Sequence, residues 1–214
     1  DCAHPCRYAY RLVEEKRPGQ YFPVEEDARG TYIFNSRDLC LLRRLPELVG
    51  AGVDSLKIEG RMKAVGYVGG IVRVYRAALD WIGEQLAAGK SPDQLVLPEI
   101  FADEIGKVGT RGQTENFFVG PPNAADMLHD RMRMEQPWVP VGIVRQVDPL
   151  VIETRTVFAQ GDQVEYLGPG LRTISCTVTS MVLAAGDRID RANPGNRVLL
   201  STQPEIPEPE LLAI

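Results

Sequence analysis

The chain changes its hydrophobic period partway along, and that switch limits what it can fold into more than any other feature. Between Ala64 and about Ala88, the residues Val65, Val68, Val72, Tyr75, Leu79, Ile82 and Leu86 recur at alternating spacings of three and four. That is one face of a helix packed on a core. The polar face carries Arg73, Arg76, Asp80 and Glu84. From Pro140 onward the pattern is different: VGIVRQV, LVIETRT, DQVEYLG, TISCTVTSMVL and NRVLLST are short β-branched runs separated by turn residues such as GPG and NPG. Runs of this kind predict the strands of a small closed barrel. The fold class is therefore α/β followed by all-β.

Within the α/β part, VDSLKIEGR predicts a buried strand, Ser55 to Ile58, whose C-terminal end carries Glu59, Gly60 and Arg61. Ahead of it, in NSRDLCLLRRLPELVGAG, Ser36 is the expected N-cap before Leu39, Leu42 and Leu45. Pro46 suits the first turn of a second short helix that Gly50 or Gly52 ends. Helix, strand and long helix in succession form the rhythm of a parallel α/β fold, and in a parallel barrel the strand's C-terminal end is where active sites sit. One such unit cannot close a barrel. Residues 7–34 read as a hairpin-rich excursion. The resulting organisation is an α/β part over 1–90, an irregular connecting segment over 91–137, a small β-barrel domain over 138–205 and a loose tail over 206–214.

A chain of 214 residues with 44% hydrophobic residues can bury one core and a smaller second one. It has no run of about 18 apolar residues and no basic-then-apolar start, so a soluble, cytoplasmic protein without a membrane span is expected. The net charge of -5 argues against nucleic-acid binding by bulk electrostatics. Residues 1–90, however, hold 14 Lys and Arg against 12 Asp and Glu, and the remainder hold 10 against 17. The first part is thus the more plausible RNA surface on charge alone.

Two stretches could carry chemistry. Cys2, His4 and Cys6 together with Cys40 offer thiolate and imidazole ligands. Zinc, an iron–sulfur cluster and unligated thiols are all compatible with their spacing. Cys176 sits in TISCTVTS and reads as a buried structural thiol. The second stretch is KIEGRMK, where Lys57 and Glu59 flank Ile58, and Arg61 offers a planar fork for a carboxylate or phosphate. Gly60 allows a sharp turn between them, and the alternative is a salt-bridged strand terminus. His129 has no nucleophile motif nearby, and neither G-x-S-x-G nor H-E-x-x-H occurs.

CAHPCRYAY, NSRDLC and KIEGRMKAVGYV, in that order and at these distances over roughly residues 1–85, resemble the second half of the collagenase-like peptidase family of unassigned catalytic class, U32. That family includes bacterial tRNA hydroxylation proteins. RGQTENFFVG looks like a degenerate R-x-x-T-T-G-F segment, with Glu115 and Asn116 where Thr and Gly are usual. The β-rich end is similar to the family's C-terminal domain.

The resemblance implies a longer parent, in which residues 1–90 are the C-terminal end of a TIM-like α/β barrel and an upstream cysteine-bearing G-x-C segment precedes Asp1. It implies a 4Fe–4S iron–sulfur cluster in that parent, with Cys2, Cys6 and Cys40 an incomplete ligand set. Glu59, Arg61 and Lys57 would be the catalytic residues at the barrel mouth, and Asn35, Arg37 and Arg61 would bind substrate. A carboxylate donor such as prephenate would meet Arg61. The implied activity is oxygen-independent 5-hydroxylation of an RNA pyrimidine, the tRNA wobble uridine first, with tRNA or another RNA and a second subunit of the family as partners. The present chain alone is expected to be inactive. Cleavage of collagen-like peptides and a non-catalytic RNA- or protein-binding module are the alternatives. Arg145, Arg155 and Arg172 are the basic residues by which the β-domain would touch RNA.

Overall fold

The computed structural model describes residues 12–13, 21–22, 37–61, 63–108, 112–120 and 138–207. The chain divides into two compact units, residues 1–41 with 109–136 and residues 42–108 with 137–214.

In the first unit, β1 (Leu12–Val13) pairs antiparallel with β2 (Tyr21–Phe22), inside the stretch read as a hairpin-rich excursion, whose other residues lie outside the described residues. β3 (Asp38–Leu39) pairs in parallel with β4 (Gln113–Thr114). The Asp38 N–H donates to the Gly112 carbonyl at 3.0 Å and the Cys40 N–H to the Thr114 carbonyl at 2.9 Å. The leucine spacing predicts a helix through Leu39, and this strand corrects it. A partner more than seventy residues away offers the backbone a ladder, and tertiary pairing outweighs local propensity. Ser36 lies outside the described residues.

The second unit begins with a 3-10 turn, Leu42–Arg44, that runs into α1 (Leu45–Gly50). Pro46 sits in the first turn, where its missing N–H costs nothing. Gly52, at φ +79°, ends the helix in the left-handed region while its N–H donates to the Val49 carbonyl. α2 (Val65–Ala87) spans the expected length and stops at Gly89, φ +87°. α3 (Glu99–Gly106) lies in the stretch expected to be irregular.

Two expectations about this region fail. Residues 53–60 form no strand, and Val53, Ser55 and Lys57 are exposed, because no neighbouring strand among the described residues gives them a ladder. The core face of α2 is also rotated. Ile71, Val74, Ala78 and Ile82 are buried together with Phe101 and Ile105 of α3, whereas Val65 and Val72 remain 43% and 40% exposed. Apolar residues cover more than one stripe of α2, so their period marks a helix without choosing which stripe is covered. Gly70 fits this packing: a Cβ there would come within 2.6 Å of Val108.

The rotation also buries Arg73, which the sequence places on the polar face. Its side chain is 1% exposed and that of Glu104 on α3 is 3% exposed, with Arg73 Nη1 donating to Glu104 Oε2 at 2.7 Å. Arg73 Nε donates to the Gly168 carbonyl, and Nη2 donates to the Arg172 carbonyl at 3.2 Å and to Thr173 Oγ1 at 3.0 Å. Lys107 Nζ bridges Glu104 and Glu165, at 2.7 Å each. Burial pushes the Glu104 carboxyl up, but hydrogen bonds from Lys107 and Arg73 and their charges outweigh it, so its pKa lies below the usual value. The same partners raise Lys107 against its burial.

The five expected β-runs all form: β5 (Gly142–Val147), β6 (Leu150–Thr154), β8 (Gln163–Leu167), β9 (Thr173–Leu183) and β12 (Arg197–Gln203). The short β7 (Phe158–Ala159), β10 (Arg188–Ile189) and β11 (Arg191–Ala192) add edges. One antiparallel sheet runs β10-β9-β12-β6-β5, with β8 on the other half of β9. It curls as a half-barrel rather than the expected closed one, since among the described residues no ladder joins β5 to β8. Side chains fill the gap: Val144 of β5 and Val164 of β8 both pack on Tyr166, Cys176 and Ile206. Ile206, placed at the start of the loose tail by the sequence, is buried there, and residues 208–214 lie outside the described residues. Ile152, Phe158, Val178, Met181 and Val198 form the main cluster.

Arg73→Ala leaves the buried Glu104 carboxylate with Lys107 as its charged partner and takes a donor from two loop carbonyls, and a loss of about 3–5 kcal/mol is expected in denaturant unfolding. Joint replacement of Arg73 and Glu104 by apolar residues is expected to cost less. Glu104, held low, contributes stability above its ordinary range that is lost as pH falls through its folded value. Lys107, held high, contributes stability below its ordinary range that is lost as pH rises through its folded value. The melting temperature should thus be flat from about pH 5 to 10 and drop on the acid side, and Glu104→Gln should flatten that acid limb.

Candidate functional site

KIEGR forms an exposed turn leading into α2. Lys57, Glu59 and Arg61 are exposed, while Ile58 and Gly60 are half-buried. The Glu59 carboxylate accepts the Arg61 backbone N–H at 3.0 Å, and the Lys63 N–H donates to the Gly60 carbonyl at 2.8 Å. The Glu59 carboxylate thus closes the turn locally. Gly60 lies against the first turn of α2, where an added Cβ would meet Val68 Cγ2 at 2.7 Å. Lys63 Nζ lies 4.6 Å from the centre of the Tyr67 ring. Glu59 and Arg61 therefore flank a glycine in a turn whose backbone is fixed from Glu59 to Lys63, and Lys57 lies in the irregular segment just before it.

The other predicted site residues fall in the first unit. Arg37 precedes β3 and is half-buried, and its Nε finds no hydrogen-bond partner. Cys40 is half-buried and free of disulfide. Asn35, Cys2 and Cys6 lie outside the described residues. Cys176 is buried as expected: burial pushes its thiol up, against a hydrogen bond with Thr202 that lowers it. That suits packing, not ligation. An iron–sulfur cluster needs several thiolates. The described residues offer Cys40 and contain no group of three or more His, Cys, Asp or Glu able to hold a metal, so by themselves they do not make a cluster site.

The β-domain carries a charged group that local sequence reading only half finds. Arg145 Nε and Arg155 Nη2 each reach Glu153, at 2.9 Å, and Arg197 stands opposite Glu153 across the ladder of β6 and β12. The Arg145 hydrogen bond, with the charges of Arg145, Arg155 and Arg197, holds the Glu153 carboxyl below its usual value against a smaller effect of burial. Arg197 was missed, although the strict alternation along β12 marks it as outward. Arg172 does not join them, its guanidinium lying 5.8 Å from the Tyr166 ring centre.

A charged turn feeding a long helix, and a curled antiparallel sheet pinned to that helix by a buried arginine, define a two-part α/β and β protein. Residues 1–128 match the model of peptidase family U32, and residues 137–213 match that of the peptidase family U32 C-terminal domain. The chain belongs to peptidase family U32. It is 29% identical over 185 residues to tRNA hydroxylation protein P1 of Bacillus subtilis, covering 84% of this chain and 42% of that protein. It is 39% identical over 113 residues to tRNA hydroxylation protein P of Escherichia coli, covering 53% and 23%. To the 23S rRNA 5-hydroxycytidine synthase of Escherichia coli it is 31% identical over 117 residues, covering 55% and 17%. The chain thus spans less than half the length of these relatives. No helix among the described residues is long and apolar enough to cross a membrane.

Gly60→Ala forces a methyl group onto the stiff Val68 side chain. The expected outcome is a loss of about 1–3 kcal/mol in thermal or denaturant unfolding. Gly66→Ala, where nothing lies within 4 Å of the added methyl, is expected to be neutral or stabilising.

Proposed function

We propose that the chain is part of a protein acting in oxygen-independent 5-hydroxylation of an RNA pyrimidine, with the tRNA wobble uridine as its substrate. The observation that carries this reading is the match to a relative named for tRNA hydroxylation over 84% of the chain, supported by a second relative named for making 5-hydroxycytidine in rRNA. In this reading Arg61 binds the carboxylate of a small donor such as prephenate through its planar fork, while Lys57 adds positive charge. Glu59 fixes the turn through the Arg61 N–H and is the carboxylate of the site. Asn35 and Arg37 contact the substrate.

Cys2, Cys6 and Cys40 would contribute thiolates to a 4Fe–4S cluster completed from elsewhere in the longer protein, where the end of a TIM-like barrel would also find its remaining strands. A bound cluster supplies one-electron redox capacity. A second subunit of the family is a further proposed partner, and the cytoplasm, where tRNA is found, the proposed setting.

The test uses the longer protein that contains this chain, expressed in bacteria lacking their own tRNA hydroxylation proteins. Mass spectrometry of tRNA nucleosides should show restored 5-hydroxyuridine. Arg61→Ala should reduce it about tenfold to a hundredfold, the worth of a charge-assisted hydrogen bond. Undiminished product with Arg61→Ala would remove that residue from the site. Absence of hydroxylated pyrimidine together with cleavage of collagen-like peptides would assign the chain to proteolysis.

A further inference from the structure

Alternation on β12 sends Val198, Leu200 and Thr202 inward and leaves Arg197, Leu199, Ser201 and Gln203 on the outer face of the sheet. The registers place Arg197 opposite Glu153 and Leu199 opposite both Val151 and Val182, while Val182 pairs in turn with Arg188 of β10. Directly opposed residues share a face. Arg188, Arg197 and Glu153 therefore stand on one surface, with the aliphatic strip Val182, Leu199 and Val151 between them. Arg145 is the extra residue at the irregularity in β5 and, with Arg155 just past β6, converges on the same Glu153. One carboxylate thus pairs with two guanidinium groups and feels the charge of a third, Arg197, across the ladder. The side chains of Arg197 and Arg188 are exposed and make no hydrogen bond or ion pair among the described residues.

We infer that this outer face of β5, β6, β12, β9 and β10 is a contact surface for the phosphodiester backbone of RNA. The inference rests on the reading of the protein as RNA-directed and adds where the RNA lies. Here arginines in excess of their counter-ion flank an aliphatic strip in which Leu199 is exposed and Val151 and Val182 are half-buried, which matches a chain of phosphates with sugars between them. Arginine suits the task because its planar fork holds two phosphate oxygens at once. No base edge is read by this arrangement, so it contributes affinity and position and leaves the choice of nucleotide to another part of the protein.

The test is fluorescence anisotropy of the 214-residue chain with unmodified tRNA over a salt series. Binding is expected to weaken as salt rises. The double variant Arg155→Ala/Arg197→Ala should bind about tenfold more weakly near 0.1 M salt, with the log–log salt slope reduced by about 1.5. Glu153→Gln should bind more tightly. The matched control Arg43→Ala/Arg76→Ala, which removes two exposed arginines from other elements, should bind as the parent does. Equal melting temperatures would show that each variant is folded. The inference is overturned if the chain does not bind tRNA, or if the Arg155/Arg197 variant matches the control in both affinity and slope. Either result leaves the hydroxylation reading standing, since that is decided by nucleoside analysis of cellular tRNA. Failure of hydroxylation would not remove an arginine-dependent RNA contact.

Discussion

The buried Arg73 guanidinium is the point on which the second unit turns. It is drawn from the middle of α2 and satisfied by Glu104 of α3, by two carbonyls of the loop before β9 and by the Thr173 hydroxyl. Taking two charges out of water costs several kcal/mol per ion, so a buried pair persists only where nearly every donor and acceptor is met. Here the acceptors lie 31 residues along the chain from Arg73, in α3, and 95 to 100 residues along it, in the β-domain. The geometry that satisfies the charge also fixes where the β-domain loop sits on the helices. Lys107 extends the arrangement by joining Glu104 to Glu165 on β8 and lies 5.1 Å from the centre of the Trp138 ring. A hydrophobic contact at this junction would tolerate sliding. A guanidinium with fixed donor directions does not, and the junction therefore gains orientation more than stability.

How much of this was legible in the sequence depends on whether the information is local. The β-runs were readable because each strand carries its own period and its own turns: Gly195 and Gly170 occur in NPG and GPG and take positive φ, as those turns require. The extent of α2 was readable for the same reason. Its buried face was not, since valines and glycines populate several stripes and only α3 decides which is covered. Arg73 was placed on the solvent face because the sequence does not show that carbonyls from residues 168 and 172 will be waiting for it. The segment 55–58 failed as a strand for a related reason. Its residues have strand character, but a strand exists only when neighbours complete the ladder.

The candidate site follows the same division. The turn at Glu59, Gly60 and Arg61 is local chemistry, and the sequence located both the carboxylate and the glycine that lets the chain pack on Val68. The thiol set was never a local matter. Cys40 follows a strand whose partner is Gln113–Thr114, and whether its sulfur meets others depends on residues remote in the chain. Cys176, by contrast, sits in a strand whose alternation marks it as buried, and there burial raises its thiol.

Net charge is the measure that most misdescribes the β-domain. The acidic surplus of residues 91–214 argues against an RNA surface only if charge is averaged over the chain. Residues 138–205 hold six arginines against seven carboxylates, so the surplus lies mostly in the flanking segments. Several of the seven are already engaged: Glu165 by Lys107, Asp162 by the Ala159 N–H, and Glu153 by the arginines themselves. At physiological ionic strength a charge is felt over about 8 Å. An incoming phosphate therefore responds to the guanidinium groups on the face it meets, not to acidic residues elsewhere. Strand alternation and register, which sort Arg197 and Arg188 to one side of the sheet, are what turn a nearly neutral domain into one with a positive face.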